Sequence, residues 1–248
     1  MFIEMNSILK KYQGYFTKKA DKYREIKKQR GMTLLEIIIV LGIIGTIAAG
    51  VVILAQRAFD SRAISDMVSN TNTVRIALKD AYQRTGNYPA AISAQVLGYD
   101  ADTIKDSATS TTAIARLVQL GKISVDEARN GISNDYLNIG GAITSTGAGA
   151  DKGFVIELNG LDQTQCRSII SQVGNNWDFV STVVAPAGSY TVNAGGFDMT
   201  VAAVANPTTP QAVLRSLDTT TGSQTITAPM AAAVCSDDSS NGVILGSR

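Results

Sequence analysis

Two cysteines, one glutamate at the edge of an apolar run, and a few charges spaced along a helical pattern are the residues here whose types could do chemistry. Cys166 and Cys235 stand 69 positions apart, too far for a CxxC redox motif, and two thiols are too few for a structural zinc site. They can make one disulfide, or nothing. Histidine is absent from the 248 residues, which removes every Ser-His-Asp, Cys-His and His-ligated metal mechanism. Glu157, Asp162 and Gln163 lie in FVIEL-NG-LDQTQC without metal-loop spacing and read as ordinary strand and cap residues. The glycines between Gly140 and Gly153 lack the GxxxxGK[ST] pattern of a phosphate loop. The sequence therefore predicts no catalytic set, no metal and no cofactor, and Trp177 reads as core.

Glu36 has two readings that can both hold. Thr33-Leu34-Leu35-Glu36 forms a capping box, with the glutamate at N3 reaching back to the Thr33 amide. A carboxylate bordering an apolar segment is also costly to bury in lipid, and such residues mark a function or a partner. Arg57, Asp60 and Arg62 follow on the same helical pattern. They read as a solvated face with intrahelical pairing, with intersubunit charge pairs by Arg57 and Asp60 as the alternative.

These residues need elements to position them. Ile37 to Leu54 is eighteen residues without a charge, in which Thr46 alone offers a side-chain hydrogen bond. That is long enough to span a bilayer, and it lacks the polar stripe of a soluble core helix. Residues 1–31 carry nine Lys or Arg against three acids, a net +6, which leaves the remainder at −5. The positive-inside rule then holds the N-terminus in the cytoplasm and sends the body across, into an oxidising compartment where a disulfide between Cys166 and Cys235 can persist. The acidic body speaks against a nucleic-acid partner. The long basic segment and the absence of a cleavage site after the apolar run depart from a secretory signal.

Downstream, Ile64, Met67, Val68, Thr71, Val74, Leu78, Ala81 and Tyr82 recur every three or four residues, so helical spacing continues. Gly86 and Pro89 supply the stop. One helix of about 50 residues is predicted, its first half hydrophobic and protruding, its second half amphipathic and packed on a body. In that body, Thr111–Leu120 and Asp162–Val173 read as helices, and Ser124–Glu127 as a helix start. Phe154–Leu158, Trp177–Ala185, Tyr190–Val192 and Gly242–Leu245 read as strands, and residues 140–153, 205–210 and 218–225 as loops. The fold class is α+β: a long N-terminal α-helix packed on an antiparallel β-sheet globular head with extra helices.

KKQRG-MTLLEIIIVLGIIG resembles the type IV prepilin signature, in which a basic leader ends in Gly before the mature N-terminus. The long leader, Met32 where many relatives have Phe, and the stretches VVILAQRAFDS and GNYPA resemble the type IVb branch. Similar sequences are the toxin-coregulated pilin and, nearer still, the longus and colonization-factor pilins of enteric pathogens. The resemblance implies a prepilin peptidase that cuts after Gly31 and methylates the amine of Met32. It implies that Glu36, at the fifth mature position, neutralises that amine during assembly. Domains follow as 1–31 leader, 32–55 membrane and filament-core half-helix, 56–85 amphipathic half-helix, and 86–248 head, with a disulfide-bounded region 166–235. The mature 217 residues suit the major subunit of a type IVb pilus, for adhesion, bacterial aggregation and colonisation. A minor pilin, or a pseudopilin of a type II secretion apparatus, is the alternative. Partners implied are further copies in a helical homopolymer, the prepilin peptidase, inner-membrane assembly machinery, a minor pilin, and the membrane before assembly. The location implied is the inner membrane, head periplasmic, and then the extracellular pilus. Many type IVa pilins carry a proline in the N-terminal helix; this chain has Gly42, Gly45 and Gly50 instead. Each glycine weakens a helix by about 1 kcal/mol relative to Ala, so the helix can loosen near Gly45 to Gly50 on assembly.

Overall fold

The computed structural model describes residues 33–82 and 84–248; the expected leader 1–31, with Gly31, and the expected new terminus Met32 lie outside them. Helix α1 runs Leu34–Tyr82, 49 residues and about 74 Å at 1.5 Å per residue. Nothing in its sequence breaks it: proline is absent, and Thr33 caps the start by accepting the Glu36 amide at 3.2 Å. It stops where Gly86 enters the left-handed region at φ 68° and donates its amide to the Tyr82 carbonyl at 3.1 Å.

From residue 57 onward α1 belongs to the head. Ile64, Met67, Thr71, Val74, Ala77 and Leu78 are buried, a stripe at the 3.6-residue period. Val68, Ala81 and Tyr82 pack against the same core. This is the face the spacing predicted.

Short elements complete the head: α2 (Ser93–Leu97), α3 (Ala113–Gln119), α4 (Gln163–Val173) and α5 (Ala228–Ala233). Thr112 caps α3, Gly121 ends its last turn at φ 65°, and Asp162 and Gln165 form a reciprocal capping box on α4. Ser124 and Glu127 exchange capping hydrogen bonds at 3.2 and 2.7 Å, but only turns follow.

The strands are β1 (Asn138–Ile143), β2 (Gly153–Leu161), β3 (Phe179–Val184), β4 (Phe197–Asp198), β5 (Val213–Arg215) and β6 (Asn241–Ser247). They form one sheet in the order β4-β1-β2-β6-β3-β5. All pairings are antiparallel except the two-residue edge strand β4, which runs parallel to β1. β6 lies between β2 and β3, and all seven of its residues are buried. A long-range staple holds the chain just ahead of it: Cys166 on α4 is disulfide-bonded to Cys235, with Cα atoms 6.1 Å apart. Trp177 is buried, with the Arg75 guanidinium 4.6 Å from its ring centroid.

Two further sequence-based expectations fail here. Residues 140–153 are not a loop throughout, because Gly140 and Gly141 belong to β1. A Cβ on Gly140 would lie 2.8 Å from Val192 Cγ1 and 2.9 Å from Ala91 Cβ; one on Gly141 would lie 2.6 Å from the Ala150 carbonyl oxygen. These glycines serve close packing, not a turn. Tyr190–Val192 is not a ladder strand either, since buried side chains take the place of a pairing partner.

Candidate assembly surface

Within residues 34–54 every side chain is exposed, although an 18-residue window of the helix reaches a mean hydropathy of 3.0. Leu34, Ile38, Leu41, Ile44, Ile47 and Leu54 are each more than half exposed. Leaving side chains of this size in water forfeits about 1.5–3 kcal/mol apiece, so lipid or other protein must cover them. Glu36 carries the one charge on this segment. A Cβ on Gly42, Gly45 or Gly50 would meet nothing within 4 Å, so the subunit itself does not demand glycine at these positions.

Arg57 and Asp60 line a groove of about 530 Å³ with Ser61 and Ile64 of α1 and with Asp162, Thr164, Ser168 and Gln172 at or on α4. Among the described residues the ion pairs are Arg62–Asp66, Lys122–Asp80 and Lys152–Asp151; Arg57 and Asp60 are in none of them. Arg62 follows the intrahelical reading, pairing with Asp66 four residues on at 3.7 Å. Both side chains are mostly exposed, and such a pair contributes little.

A polar cluster that sequence reasoning missed lies deep in the head. Glu157 on β2 is fully buried and no cation pairs with it among the described residues. Its Oε1 accepts the Thr191 amide and hydroxyl, each at 2.7 Å, and its Oε2 accepts the Val192 amide at 2.9 Å and Asn138 Nδ2 at 3.2 Å. The Val192 carbonyl in turn accepts from Ser93 Oγ and, at 3.0 Å, from Asn138 Nδ2. Asp135 holds the same segment from its other end, accepting the Gly188 amide at 2.7 Å. Side chains thus satisfy the Gly188, Thr191 and Val192 amides and the Val192 carbonyl. The signal in the sequence was a lone glutamate inside the otherwise apolar FVIEL. Burial, then the negative charges of Asp135 and Glu157, push the Tyr190 phenol above its ordinary range, and its hydroxyl donates to the Tyr136 carbonyl.

The N-terminal pattern and the head match known families separately. Residues 26–52 match the prokaryotic N-terminal methylation motif, and residues 116–240 match the toxin-coregulated pilus subunit TcpA. A toxin coregulated pilin of Vibrio cholerae is 38% identical over 190 residues, covering 76% of this chain and 78% of that one. The chain belongs to the toxin-coregulated pilin family. A second such pilin, from Vibrio cholerae serotype O1, is 39% identical over 189 residues, 75% of this chain and 77% of its own. The crystal structure of TcpA, a type IV pilin from the Vibrio cholerae El Tor biotype, superposes with a TM-score of 0.58 at 22% identity, covering 75% of this pilin and 99% of that chain; this likeness shows the fold. The family and fold are those of structural subunits. A pilin with the methylation motif implies self-polymerisation and processing by a prepilin peptidase, and its apolar helix fits a membrane anchor that later serves a surface pilus.

Proposed function

We propose that this pilin is the major subunit of a type IVb pilus, a filament used for adhesion, bacterial aggregation and colonisation. The observation that carries this reading is the wholly exposed apolar segment 34–54, marked by the single charge of Glu36, on a chain whose head has its own closed core. Such a helix is stable only in lipid or in a bundle of like helices, which is what a subunit stored in the inner membrane and then polymerised needs.

In this reading the peptidase cuts between Gly31 and Met32 and methylates the Met32 amine, the N-terminus lying in the cytoplasm and the head in the periplasm. Glu36 neutralises the Met32 amine of a neighbour as the apolar helices leave lipid and stack. Arg57 and Asp60, outside the intrachain ion pairs described above, are available to charges on adjacent subunits. Inner-membrane assembly machinery and a minor pilin complete the partner set.

Electron microscopy of sheared surface filaments, with mass analysis of their main component, tests the assignment. Filaments built mostly of this chain establish the major subunit. Filaments in which it is a trace component, with the bulk supplied by another pilin, assign it instead as a minor pilin.

A further inference from the structure

Two surface clusters of opposite charge lie in the head. The first is acidic. Asp162, at the N-terminus of α4, shares a surface depression with Asp237 and Asp238, in the turn that follows the disulfide, together with Gln163, Thr164 and Ser239. Asp162 also borders the groove that holds Arg57. The second is basic. The Arg75 guanidinium lies over Trp177, and its Nη1 donates to the Asn176 carbonyl at 2.7 Å. Lys79 follows one turn later on α1, and Asp178 accepts the amide of Arg248 at 3.1 Å.

Arg75, Arg248 and Asp178 all lie within electrostatic range of Lys79. Asp178 is already engaged by the Ser247 hydroxyl and the Arg248 amide. Burial and the charges of Arg75 and Arg248 push the Lys79 ammonium below its ordinary range, with Asp178 opposing them. Like charges crowded in this way disfavour the isolated subunit and favour an acidic surface brought in from outside.

The two clusters cannot neutralise each other within one molecule. Arg57, at the level of the acidic groove, and Arg75 are 18 residues apart, five full turns, so they share a helix face about 27 Å apart. That exceeds the Debye length of about 8 Å at physiological salt. A second copy displaced along the helix axis, and turned so that this face meets the first, brings one cluster of each molecule to the height of the other. A surface patch that fits a different patch on the next copy is the kind of contact that propagates a helical filament instead of closing a dimer.

We propose that the basic ridge Arg75, Lys79 and Arg248 of one subunit docks on the acidic cluster Asp162, Asp237 and Asp238 of a neighbouring copy. This interface rests on the pilus-subunit reading and adds a head-to-head contact to the stacking of the apolar helices. Lys79 and Arg248 are the residues to alter, because Arg75 also packs on Trp177.

The test is the yield of sheared filaments from cells expressing the full chain, with cleaved, disulfide-bonded subunit confirmed in the membrane. Filaments from the parental chain in the same strain check the pilus-subunit reading independently. The double variant Lys79→Glu with Arg248→Glu is expected to lower filament yield at least tenfold while cleaved subunit persists. Adding Asp237→Lys and Asp238→Lys is expected to restore filaments. Parental yield from the first double variant overturns the interface, and so does loss of filaments that the charge swap fails to rescue. Should the fourfold variant fail to accumulate, Lys79→Ala alone decides: a several-fold drop in yield supports the interface, and parental yield rejects it.

Discussion

The Val192 amide donates to the Glu157 carboxylate at 2.9 Å in the interior of the head, so a segment with no strand partner is held by a buried anion. Replacing the anion by an amide keeps its shape but places an N–H₂ group where donors converge. Glu157→Gln leaves at least one buried donor unsatisfied, at a cost of about 1–3 kcal/mol. Unfolding of the detergent-solubilised pilin by denaturant should show a lower midpoint with an unchanged slope. An unchanged midpoint would mean that the segment does not depend on the charge.

Tyr190 makes stability fall at alkaline pH. Its folded pKa is raised, by burial first and then by Asp135 and Glu157, so the fold favours the neutral phenol. The unfolded chain releases the proton near pH 10. Stability is therefore complete below about pH 10 and falls as pH rises beyond it, because the unfolded state then binds fewer protons than the native one. Tyr82 and Tyr88, also raised by burial, add to the same slope. Tyr190→Phe should lower stability at neutral pH by about 1 kcal/mol through loss of the hydrogen bond to the Tyr136 carbonyl. It should also flatten the alkaline slope; an alkaline profile identical to the parent's would remove Tyr190 as its source.

The disulfide closes a 69-residue separation and sits six residues ahead of β6. The chain-entropy model puts its contribution at roughly 4 kcal/mol. Cys235→Ser should reduce pilin levels through degradation, because the chain leading to the central strand is no longer tied to α4. Immunoblots of whole cells check this, and parental levels would show the bond to be dispensable.

Processing and assembly separate cleanly at Glu36. Subunits recovered from filaments should begin at Met32 with a methylated amine; an intact Met1, or a start beyond Ala55, is incompatible with this. Glu36→Gln retains capping geometry, since Thr33 accepts the residue-36 amide whatever the side chain. If Glu36 neutralises a neighbour's Met32 amine, loss of the charge costs about 3–5 kcal/mol at every subunit added. Cleaved, membrane-held subunits with few filaments are expected. Normal piliation by Glu36→Gln would reject charge pairing and leave the family assignment untouched.

What the sequence determined by itself is what depends on neighbours along the chain. The apolar run, its basic flank, the 3.6-residue stripe from Ile64 to Leu78, the stop at Gly86 and the Asp162 cap are all written in local periodicity or local hydrogen bonds, and the structure carries each described one where the pattern placed it. The N-terminal methylation motif was legible for the same reason, being a short linear pattern. The tertiary structure decided what depends on residues far apart. Gly140 and Gly141 look like loop residues until Val192, Ala91 and Ala150 are brought against them. Glu157 reads as an ordinary strand residue until Thr191 and Val192 bring their amides to it. The central place of β6 followed from no local signal, because strand order is set by which long-range pairings bury the most apolar surface, and seven residues at one end of the sequence do not reveal that β2 and β3 will stand on either side of them.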